Sequence, residues 1–461
     1  MSGTDGSCPV PLLVLFASAT AWLFVATIFA LIASLKFHNP HFLAAESYLT
    51  YGRVHAAHRT ALLYGFGISS ALGIGLWLLS QLGRVPLQSP LAAVIGAAFW
   101  NTSVLIGIGA ILDGQTTGFE ALTMPGYLII PLFASFALIA ISGLLTFSQR
   151  KEYRLYPSQW FVLGSLFWFP WIFSTASMLL IRGPLRGVVQ SSISWWYAHN
   201  LSSIVLGFAG LASIFYFIPK LLGRQLHSHY LAAFAFWTLA LFGSWGGIPA
   251  GAPLPAWIVS LAVVGTVLTA VPLLAVALNI GQTVRTKLPA LDAQLTLRFT
   301  YVALIFWLIA GAQQIVGVLP GVSSLTDYTW FPVSRWNLFH YGFYAFAIFG
   351  AMYYIVPRLL NRDNPPEWSS ALVTGHFWLT FFGLIISYTA LLVGGIGQGM
   401  LLNAPGYTFD QVTRGTLMAL RAGTLGDLLI FIGTVCFALN FALLIARQCC
   451  ACCAEMRKER A

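Results

Sequence analysis

The run WWYAHNLSSIVLGFAGLASIFYFIPK (195–220) holds 26 residues, no acidic side chain, and one basic side chain, Lys220, at its very end. A helix needs about 20 mostly apolar residues to cross the hydrocarbon core of a bilayer. The run has that length. It opens on aromatic residues that suit a membrane interface and contains a single imidazole, His199, near its start. The same pattern recurs in both directions along the chain. Twelve apolar segments lie near 11–37, 54–82, 89–112, 124–148, 157–181, 194–219, 230–251, 254–282, 297–320, 334–357, 370–397 and 424–446. Between them stand loop signals such as HNPH, RVPLQSP, RGPLRG and RDNPP. The expected fold is an all-α integral membrane protein: a bundle of twelve transmembrane helices in a single membrane domain over 1–461, with a short Cys-rich, basic tail at 448–461.

Composition agrees. Only 8% of the 461 residues are charged and 58% are hydrophobic, whereas a soluble domain carries about 25% charged residues. An ordinary cytosolic enzyme, a disordered chain and a nucleic-acid binder are excluded. The net charge of +10 comes from few acids, 13 against 23 Lys and Arg, and reads as membrane orientation. Fifteen of the 23 basic residues fall at the termini and on the connections that share their side. The positive-inside rule then puts both termini in the cytoplasm, in a bacterial inner (plasma) membrane. The start MSGTDGSCPV has no basic residue, so the first span does not read as a cleavable signal. The cysteines suggest no disulfide framework. The cluster CCACC (449–453) follows the last span directly, where juxtamembrane cysteines are sites of S-palmitoylation; an unmodified reduced cluster is the alternative.

Nine histidines are present. His38, His41, His227 and His229 fall in connections, His55 reads as interfacial, and His376 reads as structural. His58, His199 and His340 open the second, sixth and tenth segments at comparable depth below the outer face. An ionisable side chain inside a bilayer is costly and points to function, and neutral imidazole is a common ligand of haem iron and copper. Three such residues on separate helices suggest a cofactor inside the bundle; interhelical hydrogen bonding is the competing explanation.

The runs YGRVHAAHRTALLYGFG (51–67), WWYAHN (195–200) with YFIPK (216–220), FGAMYYIVPRLL (349–360), HFWLTFFG (376–383) and GGIGQG (394–399) resemble the second, sixth, tenth and eleventh helices of the haem-copper oxidase catalytic subunit I, cbb-type (C family). The resemblance covers essentially the whole chain. It implies a twelve-helix respiratory subunit. Such a subunit reduces dioxygen with electrons from cytochrome c, using a low-spin haem, a high-spin haem and copper held by six histidines.

Carried over residue by residue, the low-spin haem ligand falls on His58 and a copper ligand on His199. The adjacent His-His pair implied for the seventh helix has no counterpart in SWGGIPAGAPLPAW (244–257). The His-x-His pair of the tenth helix falls on Arg335 and Asn337 in SRWNLFHYGF (334–343). Copper needs several nitrogen ligands, and arginine stays protonated. Arg335 either pairs with a carboxylate or propionate or snorkels to the interface.

One b-type haem between His58 and His340 is what the ligand positions leave, with Arg421 as a propionate partner, Asp427 nearby as a partner for Arg421, and copper unlikely at His199. Hydrogen-bonded histidines without a haem are the plainer alternative. The expected function is a subunit I-like respiratory membrane protein, a degenerate paralogue acting in electron transfer or as a non-catalytic subunit. Its partners are other respiratory-complex subunits, a cytochrome c and membrane lipid, not nucleic acid. The alternatives are an active oxidase with an unusual ligand set and, more remotely, a membrane transporter.

Overall fold

A computed structural model describes residues 9–285, 295–361 and 363–459, with side chains up to Gln448. The expectation for the CCACC side chains lies outside the described residues.

Twelve helices follow one another: α1 Pro9–Leu35, α2 Tyr51–Gly83, α3 Pro90–Asp113, α4 Gly126–Ser148, α5 Pro157–Arg182, α6 Val188–Leu222, α7 His229–Gly243, α8 Ala256–Val284, α9 Leu295–Gly317, α10 Phe331–Leu360, α11 Ser370–Asn403 and α12 Phe409–Glu459. A short helix, Pro320–Thr326, precedes α10. Among the described residues eleven of these helices are long and apolar enough to cross a membrane, and α7 is a shorter apolar helix. Its 15 residues rise about 22 Å. Ser228 starts α7 by accepting from the backbone N–H of Leu231 at 3.1 Å. The Gly246–Gly247 turn and Pro249, Pro253 and Pro255 prevent it from continuing.

The helix ends follow local chemistry. Proline at the first position starts α3 and α5. α12 begins at Phe409, well before the apolar segment expected from residue 424. Thr408 and Gln411 exchange hydrogen bonds across its first turn, and Asp410 pairs with Arg414 one turn on at 2.9 Å. These add a polar start to a helix that apolar reading alone places later.

α2, α6 and α10 form the inside of the bundle. The most apolar window of each is 100%, 83% and 83% buried, against 39–50% for the other eight spans. The three touch one another, and α1, α9, α11 and α12 pack around them. Outer helices instead present Phe99, Leu105, Trp237, Phe382 and Met418 outward, as lipid-facing surfaces do. Each inner helix also departs from α geometry in a π segment: Ala61–Ile68 in α2, Leu201–Leu206 in α6 and Leu338–Tyr344 in α10.

α11 and α12 share the most extensive interface, which rests on small residues. A Cβ at Gly426 would lie 2.5 Å from the Gly383 carbonyl oxygen, and a Cβ at Gly383 would lie 2.7 Å from the Gly426 carbonyl oxygen. Backbones meet directly there, the packing mode that small residues allow in membranes. Gly426→Val is expected to cost on the order of 3 kcal/mol, the upper range for forcing atoms into a packed interior. A thermal melt in detergent should show this as a large drop, with Gly423→Val, whose nearest neighbour is 3.8 Å away, as the tolerant control. Equal melts for the two variants would refute the close approach.

Candidate functional site

A cavity of about 420 Å³ lies against the three inner helices, with α1, α9, α11, α12 and the connection before α10 adding to its wall; its volume is inside the usual range of about 300–1,000 Å³ for ligand sites. His58, His199, His340, Arg335, Asn337 and Asp427 are all on its wall. The three histidines stand just before, or inside, the π segments of their helices. Such segments re-aim side chains and recur at functional sites.

Each histidine has a fixed tautomer, because a carbonyl oxygen only accepts. His58 Nδ1–H donates to the Ala26 carbonyl of α1 at 3.0 Å. Its Nε2 is left for the cavity, with the ring flanked by Trp336 at 6.0 Å and, nearly parallel, Tyr341 at 6.2 Å. His199 Nε2–H donates to the Gly243 carbonyl of α7 at 2.9 Å, and its Nδ1 faces the Ser203 hydroxyl at 3.4 Å. His340 Nδ1–H donates to the Trp336 carbonyl at 2.8 Å, and its Nε2 meets the Ser202 hydroxyl of α6 at 3.1 Å. All three therefore make the interhelical hydrogen bond that competed with ligation in the sequence reading.

The residues fit a haem in part. His58 has the arrangement of an axial ligand, one ring nitrogen anchored on a carbonyl and the other free, beside aromatic walls and the guanidinium groups of Arg59 and Arg335. The second ligand expected, His340, is on the same cavity wall. Trp336 packs 4.1 Å from the His340 ring and edge-on to His58, and both His340 nitrogens are engaged. The Trp336 indole thus packs against both imidazoles of the expected His58–His340 pair.

The residues at His199 do not fit a copper site of several nitrogens. Its Nε2 is committed to α7. A Cβ at Gly246 would lie 2.7 Å from that Nε2, and one at Gly247 would lie 2.3 Å from the His199 Cβ. Among the described residues no group of three or more His, Cys, Asp or Glu could hold a metal ion.

Arg335 faces inward rather than snorkelling, and its Nη1 donates to Gln314 at 3.3 Å. Asn337 donates to Ser387 at 3.4 Å. Arg421 is not brought to the cavity: exposed, it donates through Nε to the Phe37 carbonyl at 3.0 Å. Its expected pairing with Asp427 is absent. Asp427 instead accepts from Ser387 at 3.2 Å, because six residues along a helix turn a side chain about 120° away. His376 is buried against Phe299, Phe349 and Phe437, with the Tyr353 hydroxyl 2.8 Å from its Nδ1.

Sequence reading passed over the ion pair Arg59–Glu120 at 2.7 Å, which lies against Trp336 through the Arg59 guanidinium at 4.8 Å. The position of Arg59 beside His58 was the available signal. Asp327 was also passed over. It lies outside the spans, on the cavity wall, and accepts from the backbone N–H groups of Gly251 and Ala250. Burial raises its pKa above the usual carboxylate value, and those two hydrogen bonds act against the rise. The native state thus holds this proton more tightly than the unfolded chain. The contribution to stability is complete below the ordinary carboxylate pKa and is lost as pH rises through the raised one. Asp327→Asn should flatten the acid side of the Tm-against-pH curve in detergent; superimposable curves would contradict this.

A helical membrane protein with a histidine-lined cavity against its innermost helices is the class this geometry defines. The family described as cytochrome c and quinol oxidase polypeptide I matches residues 10–445. The chain belongs to that family, the haem-copper oxidase subunits I, as its helix motifs imply. The family binds haem and copper, and its members work within multi-subunit respiratory complexes. A cytochrome c oxidase subunit 1 homolog of Azorhizobium caulinodans is 25% identical, over 93% of this chain and 80% of that protein. The cytochrome c oxidase subunit 1 of Rhodobacter capsulatus is 25% identical, over 94% and 84%. A cbb3-type cytochrome c oxidase subunit CcoN1 of Stutzerimonas stutzeri is 24% identical, over 85% of each chain. A heme-copper terminal oxidase dimer solved by cryo-EM shares the fold, with a TM-score of 0.77 and 15% identity over 95% of this chain and 84% of that one.

Proposed function

We propose that this chain is a subunit I paralogue that does not reduce dioxygen and serves a respiratory membrane complex as a non-catalytic or electron-transfer subunit. The observation that carries this reading is the donor set of the cavity. The helix-motif resemblance carries the family's pair of haem ligands onto Arg335 and Asn337, which line the cavity, and two glycines are pressed on the single imidazole of His199. A permanent guanidinium charge is no substitute for an imidazole bound to iron. In this reading the chain is a single membrane domain, α7 counts as the twelfth span, and both termini face the cytoplasm of a bacterial inner membrane. The partners are other subunits of the complex and a cytochrome c.

The test is a carbon-monoxide difference spectrum of the reduced, purified chain. A high-spin haem with an open coordination position binds the gas. No spectral change is expected, and a shifted Soret band would contradict the reading.

A second reading, one b-type haem held through His58, is favoured by the free Nε2 of that residue. A haem there would supply one-electron transfer. The protein's part would be to hold the imidazole through Ala26, with Arg59 and Arg335 on the same cavity wall to offset a cofactor's negative charge. His58→Ala should then remove the haem absorbance while His340→Ala keeps it; the reverse pattern would overturn this assignment.

A further inference from the structure

A line of exchangeable groups runs from the cavity wall to the protein surface between α1 and α12. Asp427 lines the cavity with the Ser34 hydroxyl as its neighbour on α1, and Ser34 lines it too. Ser34 Oγ lies 2.8 Å from Thr424 Oγ1, and Thr424 Oγ1 lies 3.0 Å from Nε2 of His38. His38 is exposed just beyond the end of α1. A half-buried carboxylic acid, two buried hydroxyls and a surface imidazole thus follow one another in order.

The groups facing Asp427 from the surrounding helices are Ser34 of α1, Tyr51 of α2, Tyr341 of α10 and Ser387 of α11. Among the described residues no basic side chain pairs with it. A carboxyl group at this depth is costly, and a single helix tether would need only the hydroxyls.

We infer that His38, Thr424, Ser34 and Asp427 form a proton relay between the membrane surface and the cavity. With the acid protonated, every hydrogen bond points outward: Asp427 donates to Ser34, Ser34 to Thr424, and Thr424 to His38 Nε2. One concerted shift breaks the O–H bonds of Asp427, Ser34 and Thr424. It forms new O–H bonds on Ser34 and Thr424 and an N–H bond on His38. The acid loses one proton, the imidazole gains one, and no other reactant is required. The reversed chain then points inward and carries a proton back. The relay is independent of whether the cavity holds a haem, so it stands or falls apart from the proposed function.

The test is infrared difference spectroscopy on the full chain in lipid nanodiscs, following the carboxyl C=O band of Asp427 after a pH jump. The band is identified by its shift in heavy water and its loss in Asp427→Asn. Ser34→Ala and Thr424→Val should slow its response at least tenfold, while Thr424→Ser, which restores a hydroxyl, should respond as the parent does. An unchanged rate in Ser34→Ala and Thr424→Val would overturn the relay, since protons would then reach Asp427 by another way. So would an Asp427 band that does not respond to pH. Thermal melts confirm that each variant is folded.

Discussion

Membrane vesicles in which this chain is the sole oxidase-like protein will take up no dioxygen above the protein-free baseline when given a reduced c-type cytochrome. The expectation rests on three features of the cavity taken together. The guanidinium of Arg335 is bonded to Gln314 on the wall, where the family resemblance places a haem ligand. The one imidazole at the expected copper position donates its Nε2 proton to the Gly243 carbonyl. The two residues next to it are glycines in contact with His199, so no second or third imidazole stands there. Arg335→His alone should leave uptake at baseline, because the copper ligands would still be missing. Cyanide-sensitive uptake by the parent chain would show that an unfamiliar ligand set does the work.

Gly247→Ala will strongly destabilise the fold. Gly247 has φ +99° and its missing Cβ would fall 2.3 Å from the His199 Cβ and 3.0 Å from the Trp195 carbonyl oxygen. A left-handed backbone costs a non-glycine residue roughly 1 kcal/mol, and overpacking typically adds about 1–3 kcal/mol. Together these come to about 3 kcal/mol, or about a hundredfold in the folded-to-unfolded ratio. The closest overlap is with the Cβ of His199, which an alanine keeps, and the ring atom Cγ follows at 2.9 Å. His199→Ala in the same chain removes the ring contact but leaves the Cβ and Trp195 carbonyl contacts, and should therefore recover only a small part of the loss. Recovery of the parent melting temperature in that double variant would show that the imidazole ring, not the backbone approach, sets the packing.

The spans were legible because long apolar runs need no tertiary information. Their ends were less so. The start of α12 was hidden by the polar stretch 409–423, whose cap and Asp410–Arg414 pair only become visible once the helix is built. The convergence of His58, His199 and His340 followed from their common depth. What each imidazole bonds did not follow, because Ala26, Gly243 and Ser202 are on other helices and two of the acceptors are backbone carbonyls that no side-chain pattern marks. Trp336 was taken for no part of the site, though its indole packs against both His58 and His340. Arg421 was assigned from its neighbourhood in the chain, and helical rotation carries it away from Asp427 and the cavity.

The measurement that bears most directly on the account is the haem and copper content of the purified full chain, by pyridine haemochrome and metal analysis on one sample. The account predicts no copper above trace and at most one haem, of b type, lost in His58→Ala. About two haems and one copper per chain would contradict it and return the protein to the oxygen-reducing members of its family.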